Sequence, residues 1–257
     1  MSQPEGRMRD LFELSYGPVH PLAWGVKLRR KFDYFTPDEY YEAAVEEAVG
    51  PRTEWLDVGG GTIIFPSNPT LARILAERCA RMVVVDPSTN VLDNMLAHER
   101  HQCLLEDYGG AGGFNLVTAR MVVEHVTDPA AFVTKLGELT ARGGQVVIYT
   151  VSRWAPMTIL SGLTPTGFHH AIKRILWRTR EEDTFPVAYR MNTEANLRRL
   201  FSEAGFRCVG FRHLDDCRTL ARWKTTHFAE LLVRQLLRKI GLGYPESCVL
   251  GIYERVG

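Results

Sequence analysis

The stretch EWLDVGGGT, residues 54–62, limits the fold of this chain more than any other. A short apolar run that ends in three consecutive glycines reads as a strand releasing its backbone into a tight loop, where something must approach closely. The surrounding pattern agrees. Strand-like runs at 54–58, 82–86, 102–106, 114–119 and 145–151 alternate with helical stretches at 69–80, 91–100 and 129–141. Such alternation means βαβ units and a parallel sheet with helices on both faces. Asn68 is placed to cap a helix that opens on Pro69, and Gly143-Gly144 is expected to stop the helix before the fifth strand. Towards the end the rhythm changes. A helix over 193–204 stops at Gly205, and 206–214 and 248–256 read as strands without a crossover between them.

Composition excludes several function classes. With 31 Lys and Arg against 30 Asp and Glu, the formal charge of +1 provides no global field for nucleic acid. The five cysteines are scattered and never form a C-x-x-C pair, which fits reduced thiols rather than a disulfide frame or a zinc knuckle. No stretch approaches membrane-spanning length and the first residues lack a secretory apolar core, so stable membrane insertion is not expected and a cytoplasmic protein is.

Two segments stand outside the alternation. Residues 1–52 form a helical, aromatic-rich cap, with a capping box at Thr36–Glu39 opening a helix to about Val49. Trp24, Phe32, Tyr34, Phe35, Tyr40 and Tyr41 are read as cap-to-core packing, and Arg29-Arg30-Lys31 as a solvated face. The remaining domain, 53–257, carries an insertion at 153–192, long enough for a lid. It also carries an extra helix at about 225–240, whose apolar positions Phe228, Leu231, Leu232, Leu236, Leu237 and Ile240 are expected to pack on the domain. A homodimer face, or contact with a lipid-like substrate at a membrane surface, is the alternative use of that helix.

The glycine loop narrows the ligand. A nicotinamide-binding loop reads G-x-G-x-x-G and would need glycine at Ile64. It would also disfavour a carboxylate at its base, where Asp57 sits two residues before Gly59. A nucleoside that carries an ammonium and no phosphate would welcome that acid, and S-adenosylmethionine fits the description. Asp86 ends the second strand, where a carboxylate can accept both ribose hydroxyls.

The segments WLDVGGGT, VVVDPS, FNLVTARMVVEHVTDP and ARGGQVVIYTVS, in this order, resemble the successive motifs of class I S-adenosylmethionine-dependent methyltransferases. NTEANLRRLFSEAGF resembles the helix and strand that follow in the small-molecule branch. The resemblance covers 53–214, and 248–256 fits the family's last strand. It implies an α/β, Rossmann-like, doubly wound seven-stranded sheet, mostly parallel with an antiparallel last strand, and an active site at the carboxyl ends of the strands. It implies a cofactor site made of Asp57, Gly59, Gly60, Gly61, Asp86, Pro87 and Ala119, with Glu106 or Asp107 near the adenine. Departures are Ile63 for the last loop glycine, which brings Ile63, Ile64 or Phe65 to the pocket wall, Asn115 for the usual aspartate, and Arg142 for proline before Gly143.

Some relatives bind a divalent ion through E-x-x-E-H. Here Met121 takes the first position, so Glu124 and His125 are read as structural and no metal is expected. His213 and Asp216 are too isolated to assign. The acceptor is expected to be a small molecule under the insertion, among Trp154, Phe168, Trp177 and Phe185, with His169, His170, Tyr189 and Arg190 as polar handles. Histidine is the side chain best suited to take a proton near neutral pH, so His169, His170 and Tyr189 are the catalytic candidates. The rival expectation is a catalytically silent, nucleoside-binding scaffold.

Overall fold

The computed structural model describes residues 5–17, 23–156, 158–159 and 187–257. Three helices come first, α1 (Glu5–Tyr16), α2 (Trp24–Lys31) and α3 (Pro37–Ala48). The core follows as β1 (Glu54–Val58), α4 (Pro69–Arg78), β2 (Arg81–Val85), β3 (Glu99–His101), β4 (Phe114–Arg120), α5 (Pro129–Leu139) and β5 (Thr140–Val151). After residue 187 come α6 (Glu194–Glu203), β6 (Phe206–Asp215), α7 (Lys224–Lys239) and β7 (Glu246–Arg255).

The seven strands form one sheet in the order β3-β2-β1-β4-β5-β7-β6. β1 pairs in parallel with both β2 and β4, and β7 runs antiparallel to β5 and β6. The chain reverses direction across the sheet at β1 and β4, and such a switch point opens a crevice at the strands' carboxyl ends. One sheet face packs against the cap and α4 through Phe12, Tyr41, Val45, Phe65 and Leu75. The other packs against α5 and α6 through Phe132, Leu136, Leu197 and Phe201. The cap thus shares the core of the sheet: Tyr41 stacks on Tyr149 with ring centroids 5.3 Å apart.

Local signals hold where the caps are. The Thr36 side chain accepts from the Glu39 amide while Glu39 Oε2 accepts from the Thr36 amide at 2.6 Å, and Asn68 Oδ1 accepts from the Leu71 amide at 3.1 Å. Three expectations need correction. Residues 91–100 are not a helix, and the third strand comes earlier than expected, at Glu99–His101. Only a 3₁₀ turn at Thr89–Asp93 forms, because buried Asn94 turns the chain, its Oδ1 accepting from the amides of Leu96 and Ala97. The glycine pair does not end α5. That helix stops at Leu139, and Gly143, at φ +74°, lies inside β5 near a register shift against β4. There a side chain on Gly144 would lie 2.9 Å from the Phe114 carbonyl oxygen. Finally, Arg29 is buried rather than solvated, and its guanidinium donates to both Glu39 carboxylate oxygens at 3.0 Å, joining α2 to α3.

Candidate active site

The carboxyl ends of β1 and β4 meet at a cleft of about 270 Å³ lined by Asp57, Gly59–Gly61, Thr62, Ile63, Ile64, Pro66 and Arg120. Ile63 and Ile64 line it as the sequence suggested. Phe65 instead packs in the core against Tyr41 and Trp55.

Asp57 is fixed from below. The Trp55 indole N–H donates to the Thr118 hydroxyl at 2.7 Å, and that hydroxyl donates to Asp57 Oδ1 at 2.5 Å. Burial pushes the Asp57 carboxyl up to about 7, against the opposing pull of the Thr118 hydrogen bond and the Arg120 charge. Desolvation of the charged form outweighs these partners. The loop above can be made only of glycine where it touches this acid. A Cβ on Gly60 would lie 2.2 Å from Asp57 Oδ2 and 2.7 Å from Val84 Cγ1, and Gly59 has φ +74°.

Asp86 follows β2 and sits beside the glycine loop, largely buried. Its Oδ1 accepts from the Ser88 amide at 2.8 Å and its Oδ2 from the Gly61 amide at 3.0 Å, which joins the glycine loop to the second strand. Each oxygen keeps a further lone pair. Asn94, which no sequence signal singled out, donates from Nδ2 to the Gly61 carbonyl at 3.0 Å and holds the loop from its other side.

Arg120, at the end of β4, was also missed. Its Nη2 donates to Asp38 Oδ1 at 2.8 Å, and Arg218 Nη1 donates to Asp38 Oδ2 at 2.8 Å. Burial pulls the Asp38 carboxyl upward, but the two guanidiniums overcome this and hold it below the ordinary carboxylate value. The cap therefore supplies the anion that aims Arg120 into the cleft wall. A cleft with a carboxylate, a guanidinium and a glycine cradle suits an amino-acid zwitterion that carries a nucleoside.

Of the other expected cofactor residues, Pro87 is exposed beside Asp86, and Ala119 is fully buried in the core opposite Val58. Glu106 and Asp107 are exposed on a short 3₁₀ turn at Leu105–Asp107, apart from the cleft lining.

Glu124 lies beyond β4, buried, its Oε2 accepting from the Thr150 hydroxyl at 2.7 Å. Asn192 Nδ2 donates to the same hydroxyl at 2.7 Å, and its carbonyl accepts from the Arg153 amide at 2.9 Å, so the two ends of the insertion lie together at the end of β5. Burial pushes the Glu124 carboxyl up. Met121 and Tyr189 take left-handed backbone conformations, φ 54° and 48°, costly for large side chains. The Tyr189 amide donates to the Glu124 carbonyl, and burial, with Glu124 nearby, raises its phenol. Trp154 faces solvent and Arg190 donates to the Thr127 carbonyl at 2.7 Å. His169 and His170, with Phe168, Trp177 and Phe185, lie outside the described residues. Among the described residues no group of three or more His, Cys, Asp or Glu is arranged to hold a metal ion. His213 bonds Glu194 and Glu246 at 2.7 Å each, on the surface.

The sheet order, the glycine loop at its switch point and the matching family model together mark a class I S-adenosylmethionine-dependent methyltransferase. Residues 28–210 match the family model described as a methyltransferase domain, and the chain belongs to that family. It is 31% identical over 144 residues to a ubiquinone biosynthesis O-methyltransferase of Xanthomonas axonopodis pv. citri, covering 51% of this chain and 59% of that protein. A protein of the same description from Rhodopseudomonas palustris is 35% identical over 82 residues, covering 29% and 32% respectively. The matches thus span about a third to three fifths of these relatives. Among solved structures, geranyl diphosphate C-methyltransferase of Streptomyces coelicolor superposes with TM-score 0.53 at 14% identity, covering 96% of this chain and 88% of that one. The [4+2]-cyclase SpnF superposes with TM-score 0.54 at 14% identity, covering 86% and 82%. At such identities these two share the fold alone, and their different chemistries show why function must be argued from the site.

Proposed function

We propose that the protein transfers a methyl group from S-adenosylmethionine to a hydroxyl of a small molecule, a secondary-metabolite, glycan or lipid precursor. The observation that carries this is the placement of Asp57 and Arg120 in the lining of one glycine-walled cleft. Asp57 holds the cofactor's ammonium, Arg120 its carboxylate and Asp86 its ribose hydroxyls. The bound cofactor supplies an electrophilic methyl group. The chain holds the acceptor in line with that methyl and keeps water out, a positioning effect worth several kcal/mol.

The hydroxyl acceptor is supported by the O-methyltransferases among the relatives. Tyr189, its phenol raised, keeps its proton and serves as a hydrogen-bond donor that orients the acceptor rather than as a base. One of His169 and His170 takes the hydroxyl proton. Calorimetry with S-adenosylmethionine and S-adenosylhomocysteine tests the reading: affinity for both is expected, and absence of binding would overturn it.

A further inference from the structure

The extra helix α7 packs on the domain only in part as its sequence suggested. Its buried residues are His227, Glu230, Leu231 and Arg234, three of them polar. Leu231 packs with Leu28, Tyr34 and Cys217, and the polar residues find partners beside it: Arg234 pairs with Asp215 of β6, and Glu230 Oε1 accepts from the Tyr244 hydroxyl at 3.1 Å. His227 meets the Trp24 ring edge at 6.0 Å between centroids. Of the apolar residues expected to face the core, Leu231 does so, while Phe228, Leu232, Leu236 and Ile240 point away from it. Phe228 is 40% exposed, Leu236 51% and Ile240 70%, with Leu232 and Val233 also open. Steps of four residues place 228, 232, 236 and 240 along one stripe, about 18 Å long at the helical rise. Such a stripe, opposite a helix's buried face, marks an interaction site.

Charge decides what covers it. Lys224 begins the helix, Arg238 and Lys239 end it, and Lys31 of α2 lies with Nζ 6.0 Å from the centre of the Phe228 ring. All four are exposed, and among the described residues none is paired with an acid. The only acid in α7, Glu230, is buried inward, and α2 contains none. A second copy docked by this face about a twofold axis would bring two cationic rims together, which opposes self-association. An anionic lipid surface fits both features. The acyl region takes the apolar stripe while headgroup phosphates neutralise the rim. No helix among the described residues is long and apolar enough to cross a membrane, so α7 would lie in the surface.

We propose that α7 docks the protein onto anionic membrane surfaces through Phe228, Leu232, Leu236 and Ile240, with Lys31, Lys224, Arg238 and Lys239 binding the headgroups. The inference is independent of the acceptor's identity and of the cofactor site. Co-sedimentation of the full chain with vesicles tests it, comparing phosphatidylglycerol mixed with phosphatidylcholine against phosphatidylcholine alone. Binding to the anionic vesicles is expected to be at least about tenfold stronger and to weaken as salt is raised. A Leu236→Gln/Ile240→Gln variant should lose it with cofactor affinity and melting temperature unchanged, since these side chains are 51% and 70% exposed. Lys224→Glu/Lys239→Glu should weaken it at least roughly fivefold for each charge changed. The proposal is overturned if the wild type ignores anionic vesicles, or if the glutamine variant binds them as well as the wild type. It is equally overturned if sedimentation shows a wild-type dimer that the glutamine variant abolishes, since a second copy would then own the stripe, or if an acidic protein binds it while vesicles do not.

Discussion

Replacing Arg120 by alanine should remove the protein's ability to recognise one particular group, the cofactor's carboxylate. The guanidinium lines the cleft opposite Asp57 and is aimed by Asp38 through a 2.8 Å hydrogen bond. A hydrogen bond between charged groups contributes ~1.5–3 kcal/mol, which is roughly ten- to hundredfold in affinity. Removing Arg120 leaves Asp38 paired with Arg218, so the cap keeps an ion pair with the core and the fold should survive. Titration calorimetry with S-adenosylhomocysteine and its decarboxylated analogue separates recognition from general damage. The wild type should prefer the carboxylate-bearing ligand by roughly ten- to hundredfold, and Arg120→Ala should erase that preference while leaving the analogue's affinity within about threefold. Asp57→Asn should instead weaken both ligands, because both keep the ammonium. If Arg120→Ala weakens the two ligands equally, or if the preference survives, the assignment of Arg120 is refuted.

Asp86→Ala should weaken cofactor binding at least about tenfold by calorimetry, and unchanged affinity would remove the ribose assignment. Cofactor affinity should rise with pH up to about 7 and then level off, because the ammonium needs Asp57 charged and burial holds that carboxyl near 7. The sign for stability is opposite. An acid raised in the folded state is stabilising below its unfolded value and loses that contribution as pH rises through about 7, so Asp57→Asn should raise the apo protein's stability at about pH 8, by up to ~4 kcal/mol in thermal unfolding. Turnover should survive EDTA, since Met121 stands in the first ligand position and Glu124 is engaged by Thr150. Loss restored by magnesium or zinc would show a metal role. Tyr189→Phe should lower turnover with cofactor affinity intact, and a matching fall in cofactor affinity would place Tyr189 in the wrong site.

Glycine, proline and capping residues declare themselves in sequence because their effects act within a few residues. Gly59–Gly61 after an apolar run, the Thr36–Glu39 box, and Asn68 before Pro69 each specify local backbone by their own covalent chemistry, and each is found where the chain reads it. The five motif segments from WLDVGGGT to NTEANLRRLFSEAGF, in order, were enough for the βαβ architecture and for Asp57 and Asp86 at the strand ends. What escaped depends on groups far apart along the chain. Arg120 reads as the residue just after a strand until Asp38, 82 positions earlier, is packed beside it. Asn115 reads as a departure until its Oδ1 accepts from the Glu54 amide at 2.9 Å and its Nδ2 donates to the Arg52 carbonyl, work an ionised aspartate could do only by half. Residues 91–100 have helical composition, yet Asn94 spends its hydrogen bonds on the turn and the glycine loop, and the chain joins the sheet edge instead. α7 is the clearest division. Its period and ends were legible, but which face it buries was not, because an apolar stripe turns inward only where the surface beneath is apolar. Beneath α7 a small apolar patch of Leu28, Tyr34 and Cys217 takes Leu231, while Asp215, the Tyr244 hydroxyl and the Leu220 amide are satisfied by Arg234 and Glu230 and by no leucine, so the tertiary structure turns Leu232 and Leu236 out.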